Sequence, residues 1–442
     1  MDQKQDVQQG READGYSAEA HLIYGQMQDP RWDYSHHVVP PMTTSAMFRL
    51  DSAQRGAQGF TEFAHHTVEG TVKSRAPIYI YDRLGEPNKD MLEENLAYAE
   101  QGDVAVTFAS GMSAISAVLG MLTGAGSEIV AHKTLYGCTY SLLTNWYPRL
   151  KIRVKFVDFS IPDEVAKAIT NETRVLYMES PVNPTMKLVD LQRIAELAQN
   201  ANEGRLPEER LYTVVDSTFA TPFCQRPISF GIDFVVHSLT KGIGGFGTDI
   251  GGVVVGPNWA YDMLLLYRKD FGGILSPKSA WSVLVTGLPS LATRMRQMQA
   301  TAMKVAEFLV RRPEVEATLY PGLVDFPQRD LARRQMRDYD GNFAPGGMIY
   351  FLLKGKDPQD ALRRAERLIN FAARNSYCIT LAVSLGNIRT LIEHPGSMTH
   401  SAIPAEEQQL KGIDPGGIRL AIGLEKPEDI IRDLTAALEA VR

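Results

Sequence analysis

DVAVTFASGMSAISAVLGMLTGAGSEIVAH, residues 103–132, reads as a strand, a helix and a second strand. The compact apolar run VAVTF ends at Ser110, and GMSAISAVLGML follows with small and apolar residues at helical spacing. GAGSE is turn chemistry, after which EIVAH resumes an apolar run. The alternation continues downstream. YSLLTNWYPRL is helical, KIRVKFVDF a strand, PDEVAKAI helical, RVLYMES a strand, LVDLQRIAELAQNA helical and LYTVVDS a strand, with further short apolar runs in DFVVHS and GGVVVG. Such a pattern predicts an α/β fold, with a mostly parallel sheet covered by helices on both faces. Ligands on these sheets sit beyond the carboxyl ends of the strands.

A chain of 442 residues exceeds one hydrophobic core. Residues 1–22 are polar and read as a disordered tail, and 23–87 as an irregular arm. Residues 88–285 read as the main sheet domain. Residues 286–442 read as a smaller α/β C-terminal domain, containing GGMIYFLL, a helix around DALRRAERLINFAA, and GGIRLAIGLEKPEDIIRDLTAALEAV. With 46 basic against 52 acidic residues, interspersed, there is no basic stripe for nucleic acid or a membrane surface. No run is apolar and long enough to span a bilayer, and no signal peptide is visible. Cys138, Cys224 and Cys378 are too few and too scattered for a disulfide framework or a metal site. A cytoplasmic protein is expected.

Around HSLTKGIGGFGTDIGG, residues 237–252, the glycines Gly242, Gly244 and Gly247 match G-x-G-x-x-G. A dinucleotide fingerprint opens a helix, whereas TDIGGVVVG reads as a turn and a strand, so a nicotinamide cofactor is disfavoured. Attention moves to Lys241. Other strand ends finish with polar groups: Asp216 after TVV, Ser238 and Thr240 beside Lys241, Asn183 after LYMESPV, and Ser110, Gly111 and Met112 where a helix begins. A helix N-terminus fed by Ser-Gly suits a phosphate. Together, a phosphate cradle, an acid, hydroxyls and a lysine at one sheet edge fit pyridoxal 5'-phosphate (PLP), which needs a lysine for its Schiff base and an acidic partner for its pyridine nitrogen.

At this point VVDSTFATPFCQRPISFGIDFVVHSLTK, TFASGMSAISA, ESPVNPT, KTLYGCT, IYIYDRLGEPN, SLGNIRTLIEHPGSMTH and IRLAIGLEKPEDIIRDL together resemble the Cys/Met-metabolism enzymes of trans-sulfuration, from about residue 36 to the C-terminus. The resemblance implies fold type I and a homotetramer of tight dimers with shared sites. It implies that Lys241 binds the cofactor and moves protons, and that Tyr136 stacks on the ring and acts as acid to the departing γ-group. It further implies that Tyr81 and Arg83 reach the neighbouring subunit's phosphate, and that Arg419, with Asn183 and Ser384, clamps the substrate carboxylate. The implied activity is γ-elimination on a γ-substituted L-amino acid through a vinylglycine-type intermediate to 2-oxobutyrate and ammonia, as in methionine γ-lyases. The alternatives are γ-replacement by a homoserine-ester sulfhydrylase or cystathionine γ-synthase, or elimination of a non-sulfur group such as that of canavanine.

The sequence departs from the family pattern in several places. Gly242 and Phe246 slim the loop after the lysine. Glu86 stands where an amide is usual, and Arg389 where several members carry glutamate. Glu86 and Glu393 are expected either as solvated rim charges or as readers of a cationic leaving group. Cys138 reads as a small residue beside the site, as in methionine γ-lyases.

Overall fold

The computed structural model describes residues 16–25, 37–64, 67–68, 71–72, 78–401 and 405–441. Its larger sheet has seven strands: β1 (Val104–Phe108), β2 (Glu128–His132), β3 (Arg153–Val157), β4 (Thr173–Glu179), β5 (Tyr212–Asp216), β6 (Phe234–Ser238) and β7 (Gly252–Gly256). Their order is β1-β7-β6-β5-β4-β2-β3. The run from β6 to β3 is parallel, and β7 lies antiparallel to both of its neighbours. The sheet is therefore mostly parallel. Strands β1, β2 and β7 are buried along their whole length, as expected of largely apolar strands in a sheet covered on both faces. Each such valine, isoleucine or phenylalanine contributes roughly 2 kcal/mol on burial.

Two helices position the site. Helix α1 (Pro87–Glu100) starts on Glu86, whose side chain accepts from the N–H groups of Asn88 and Lys89, with proline in the first turn. Helix α2 (Gly111–Leu122) starts on Ser110, whose Oγ accepts from the Ser113 N–H at 3.1 Å. It therefore aims its N-terminal amides at the carboxyl end of the sheet.

The smaller sheet has five strands: β8 (Val315–Leu319), β9 (Met348–Leu353), β10 (Ile379–Leu381), β11 (Thr390–Glu393) and β12 (Gly417–Ala421), in the order β8-β9-β12-β11-β10. Helix α3 (Leu291–Val310) leads from the larger sheet into this one. Its early residues Leu291, Met295 and Met298 join the core under α1, while Val305 and Leu309 pack into the core of the smaller sheet. One rigid helix therefore couples the two layers.

The disordered tail expected over residues 1–22 is corrected at its end. Ala18–Tyr24 is a helix capped by Ser17, with Leu22 buried beside Met91 and Leu92 and His21 stacked on Tyr98 at 3.5 Å. Leu22, the His21–Tyr98 ring contact and the Glu19–Arg296 ion pair dock this segment on the fold; residues 1–15 lie outside the described ones. The arm contains a helix, Ala53–Glu62, and is tied down where the Trp281 indole donates to the Pro40 carbonyl at 2.7 Å. Among the described residues no helix is long and apolar enough to cross a membrane.

Candidate active site

At the carboxyl edge of the larger sheet lies a cavity of about 280 Å³. Ser110, Gly111, Met112, Tyr136, Asn183, Asp216, Ser238, Thr240, Lys241, Ser384 and Arg419 all line it, drawn from segments spread over most of the chain. Of the candidate residues, Tyr81 and Arg83 do not line it. Tyr81 is exposed and bridges to Met47, and exposed Arg83 donates to the Lys269 carbonyl at 3.1 Å.

Lys241 follows β6 in a short turn, Leu239–Ile243, whose helical path it breaks with φ −92° and ψ −133°. The glycines after it lead into β7, not into a helix. The break sends Lys241 Nζ to Ser384 Oγ, 2.7 Å away. Ser384 holds φ +99°, a costly backbone for a residue with a side chain, and strain of this kind concentrates at functional sites. Burial, helped by the Arg419 charge, brings the Lys241 amine down to about 8.

Asp216 ends β5 directly opposite Glu179, the last residue of β4. Asp216 Oδ1 accepts from the Thr218 N–H at 3.0 Å, and Thr218 Oγ1 accepts from the Ser238 N–H at 2.9 Å. Glu179 accepts from the Tyr136 N–H at 2.6 Å and from the Asn183 N–H at 3.4 Å. Burial and the neighbouring Asp216 push its carboxyl up to about 8. Sequence reasoning passed over Glu179, although it closes TRVLYME just as Asp216 closes YTVVD. Its signal was the same strand-end acid.

Arg419, on β12, is buried and committed in three directions. Its Nη1 meets Asn183 Oδ1 at 3.1 Å and Glu393 Oε1 at 3.0 Å, and its Nη2 donates to the Ser384 carbonyl at 2.8 Å. Glu393 lies directly across from it on β11, in the antiparallel register. Tyr136 packs at the cavity wall with its hydroxyl 3.3 Å from Cys138 Sγ, and burial followed by that thiol raises the phenol well above its ordinary value. Gly137 is held flush against the 395–400 turn, since a Cβ there would lie 2.3 Å from the Thr399 carbonyl.

Both expectations for the two glutamates are corrected. Glu86 is fully buried as the cap of α1, and Glu393 is 1 % exposed as the partner of Arg419. Neither is a rim charge, and neither is free to read a cationic tail. Arg389 is exposed, and its backbone N–H donates to Asn387 Oδ1. Phe246 lies over the Arg294 guanidinium, 5.6 Å from its ring centre.

The donor set fits PLP. An amine, a carboxylate, two hydroxyl residues and the open amides of a helix N-terminus face one space. The cradle is close-fitting, because a Cβ at Gly111 would lie 3.0 Å from Ser238 Cβ. Lys241 could carry the cofactor covalently, Asp216 could meet its ring nitrogen, and Ser110, Gly111, Met112, Ser238 and Thr240 could hold its phosphate.

Comparison with known proteins agrees with this chemistry. Residues 20–439 match the model of the family described as Cys/Met metabolism PLP-dependent enzyme. The chain is 40% identical to an L-methionine gamma-lyase of Fusobacterium nucleatum subsp. polymorphum, over 91% of this chain and 93% of that one. It is 38% identical to an L-methionine gamma-lyase of Pseudomonas putida, over 93% and 95% of the two chains. A solved structure of cystathionine gamma synthase from Xanthomonas oryzae pv. oryzae, in complex with aminoacrylate and cysteine, superposes with a TM-score of 0.81 at 31% identity. It covers 96% of this chain and 98% of the other.

Proposed function

Because this chain belongs to the family of Cys/Met metabolism PLP-dependent enzymes, we propose that it is a γ-lyase of the methionine type, converting L-methionine and water to methanethiol, 2-oxobutyrate and ammonia. The observation that carries the reading is the convergence of Lys241 and Arg419 on Ser384 inside one cavity, in a chain so similar over its length to methionine γ-lyases.

When bound, PLP supplies an electron sink that makes the Cα and Cβ protons of the amino acid removable. The chain supplies the rest. Arg419 takes the substrate carboxylate with the N–H groups its partners leave open, while Asn183, Glu393 and the Ser384 carbonyl hold its fork in place. Lys241 would take the proton at Cα, pass it on, and, neutral again, take one at Cβ. Its lowered basicity leaves a useful neutral fraction for this work near neutral pH. Tyr136 keeps its proton through burial and delivers it to the sulfur leaving Cγ. Among the lining residues the carboxylates are Glu179 and Asp216, both engaged by backbone amides, while Met112, Phe219, Ile250, Val383 and Leu385 supply apolar wall. A neutral thioether suits that wall better than a cationic leaving group.

The assembly this reading expects is a cytoplasmic homotetramer of tight dimers, each site completed by Tyr81 and Arg83 of the second copy. Supporting it, both residues are exposed and away from their own cavity, and Val38, Met47 and Phe60 on the arm are at least 62% exposed. The three cysteines are free, which suits a reducing compartment. We also retain 88–285 and 286–442 as the proposed division into domains.

Lys241→Ala tests the reading. It should abolish both the visible absorbance band of the bound cofactor and 2-oxobutyrate release from L-methionine. Turnover by that variant would overturn it.

A further inference from the structure

We infer that Arg294 is a positioning residue for Lys241, holding the turn that carries the lysine in its non-helical path. The inference rests on the proposed role of Lys241 and concerns how the chain keeps it in place.

Arg294 is only 4 % exposed, burial lowers its basicity, and among the described residues it forms no ion pair. It sits in the first turn of α3, the end of a helix at which a cation is disfavoured by the helix dipole. A lone buried guanidinium is costly unless its donors are satisfied, and here carbonyls and one hydroxyl satisfy them. Nη1 donates to the Gly242 carbonyl at 2.7 Å. Nη2 donates to the Ile243 carbonyl at 3.0 Å and to that of Gly287 at 2.7 Å. Nε donates to Ser290 Oγ at 2.9 Å. Gly242 and Ile243 are the two residues directly after Lys241. The fork therefore joins the lysine turn to the start of α3.

The glycine-rich sequence makes room for this contact. Gly245 has φ +78°, and a Cβ there would lie 2.2 Å from Arg294 Nη1. A Cβ at Gly287 would lie 2.7 Å from the Ile243 carbonyl. Phe246 covers the guanidinium on its outer side. Gly242 and Phe246, which set this loop apart from the family pattern, thus join Gly245 and Gly287 in forming the seat of an arginine that serves Lys241 at one remove.

Arg294→Lys keeps the charge and loses the fork. The measurement is titration of cofactor-free full-length protein with PLP, followed by the visible band and by borohydride trapping mapped to Lys241, together with kcat and KM for L-methionine. The PLP concentration giving half the band is expected to rise about tenfold, and kcat to fall about tenfold with KM changed less than about twofold. A lower melting temperature with band, trapping and kcat unchanged would make Arg294 merely structural and overturn the inference. Where Arg294→Lys does not fold, Phe246→Ala, at a partly exposed ring, is read in its place. A shift in the same direction supports the inference, and wild-type titration overturns it. Wild-type protein that forms no band with PLP would instead overturn the role of Lys241 itself.

Discussion

Lys241 Nζ donates to Ser384 Oγ at 2.7 Å, joining the turn after β6 of the larger sheet to the loop between β10 and β11 of the smaller one. The amine sits in a desolvated space beside Arg419, so it loses its proton near pH 8, below the usual lysine range. Attack on the PLP aldehyde needs the neutral amine. The rate at which cofactor-free protein forms the visible band should therefore climb about tenfold per pH unit below 8 and level off above it. Stopped-flow mixing across pH 6 to 10 checks this, and a rate still climbing toward the pKa of an ordinary lysine, about 10.4, would show an amine in open solvent.

Arg83 and Lys241 belong to different sites of the proposed dimer. Chains carrying Arg83→Ala and chains carrying Lys241→Ala should each be impaired alone. Refolded together, they should regain activity, because a mixed dimer contains one site with both native residues. With random mixing, half of the dimers are mixed and half of their sites are native, so about a quarter of wild-type activity is expected for a two-fold symmetric pair. Absence of recovery would place Arg83 in the service of its own subunit.

His132, at the end of β2, is buried with Nδ1 accepting from the Phe159 N–H at 3.0 Å, and burial lowers its pKa to about 4. The folded value lies below the unfolded one, so the imidazole is neutral in both states above about pH 6.5 and costs nothing there. As the pH falls from about 6.5 to 4, the unfolded chain binds the proton first and stability is lost, by about 3 kcal/mol in all. His132→Asn keeps an acceptor for the Phe159 amide without titrating. Its melting temperature should fall less steeply between pH 7 and 5 than that of the wild type, and parallel slopes would refute the assignment.

Much of this was legible from local chemistry. Unbroken apolar runs such as VAVTF and GVVVG can be buried on both faces only in a covered sheet, and a serine before a glycine-led apolar stretch marks the start of α2. What escaped depends on contacts distant in the chain. Glu393 became the partner of Arg419 only through the antiparallel register of β11 and β12, which periodicity does not encode. Glu86 was a different failure, because the proline after it marks a helix start, and reading Glu86 through the motif placed it at the rim. The helix Ala18–Tyr24 escaped because its contacts are distant in the chain: Leu22 in the core with Met91, His21 on Tyr98 and Glu19 on Arg296.

This set of residues is proposed to eliminate a γ-substituent without a second substrate. That activity is tested most directly by incubating the purified, PLP-loaded enzyme with L-methionine alone and measuring both products. 2-Oxobutyrate and methanethiol are expected in equal amounts, with no added nucleophile. Absence of both, with the visible band responding to methionine and product appearing only when an activated homoserine ester and a thiol are supplied, would contradict the proposal and make the enzyme a γ-replacement catalyst.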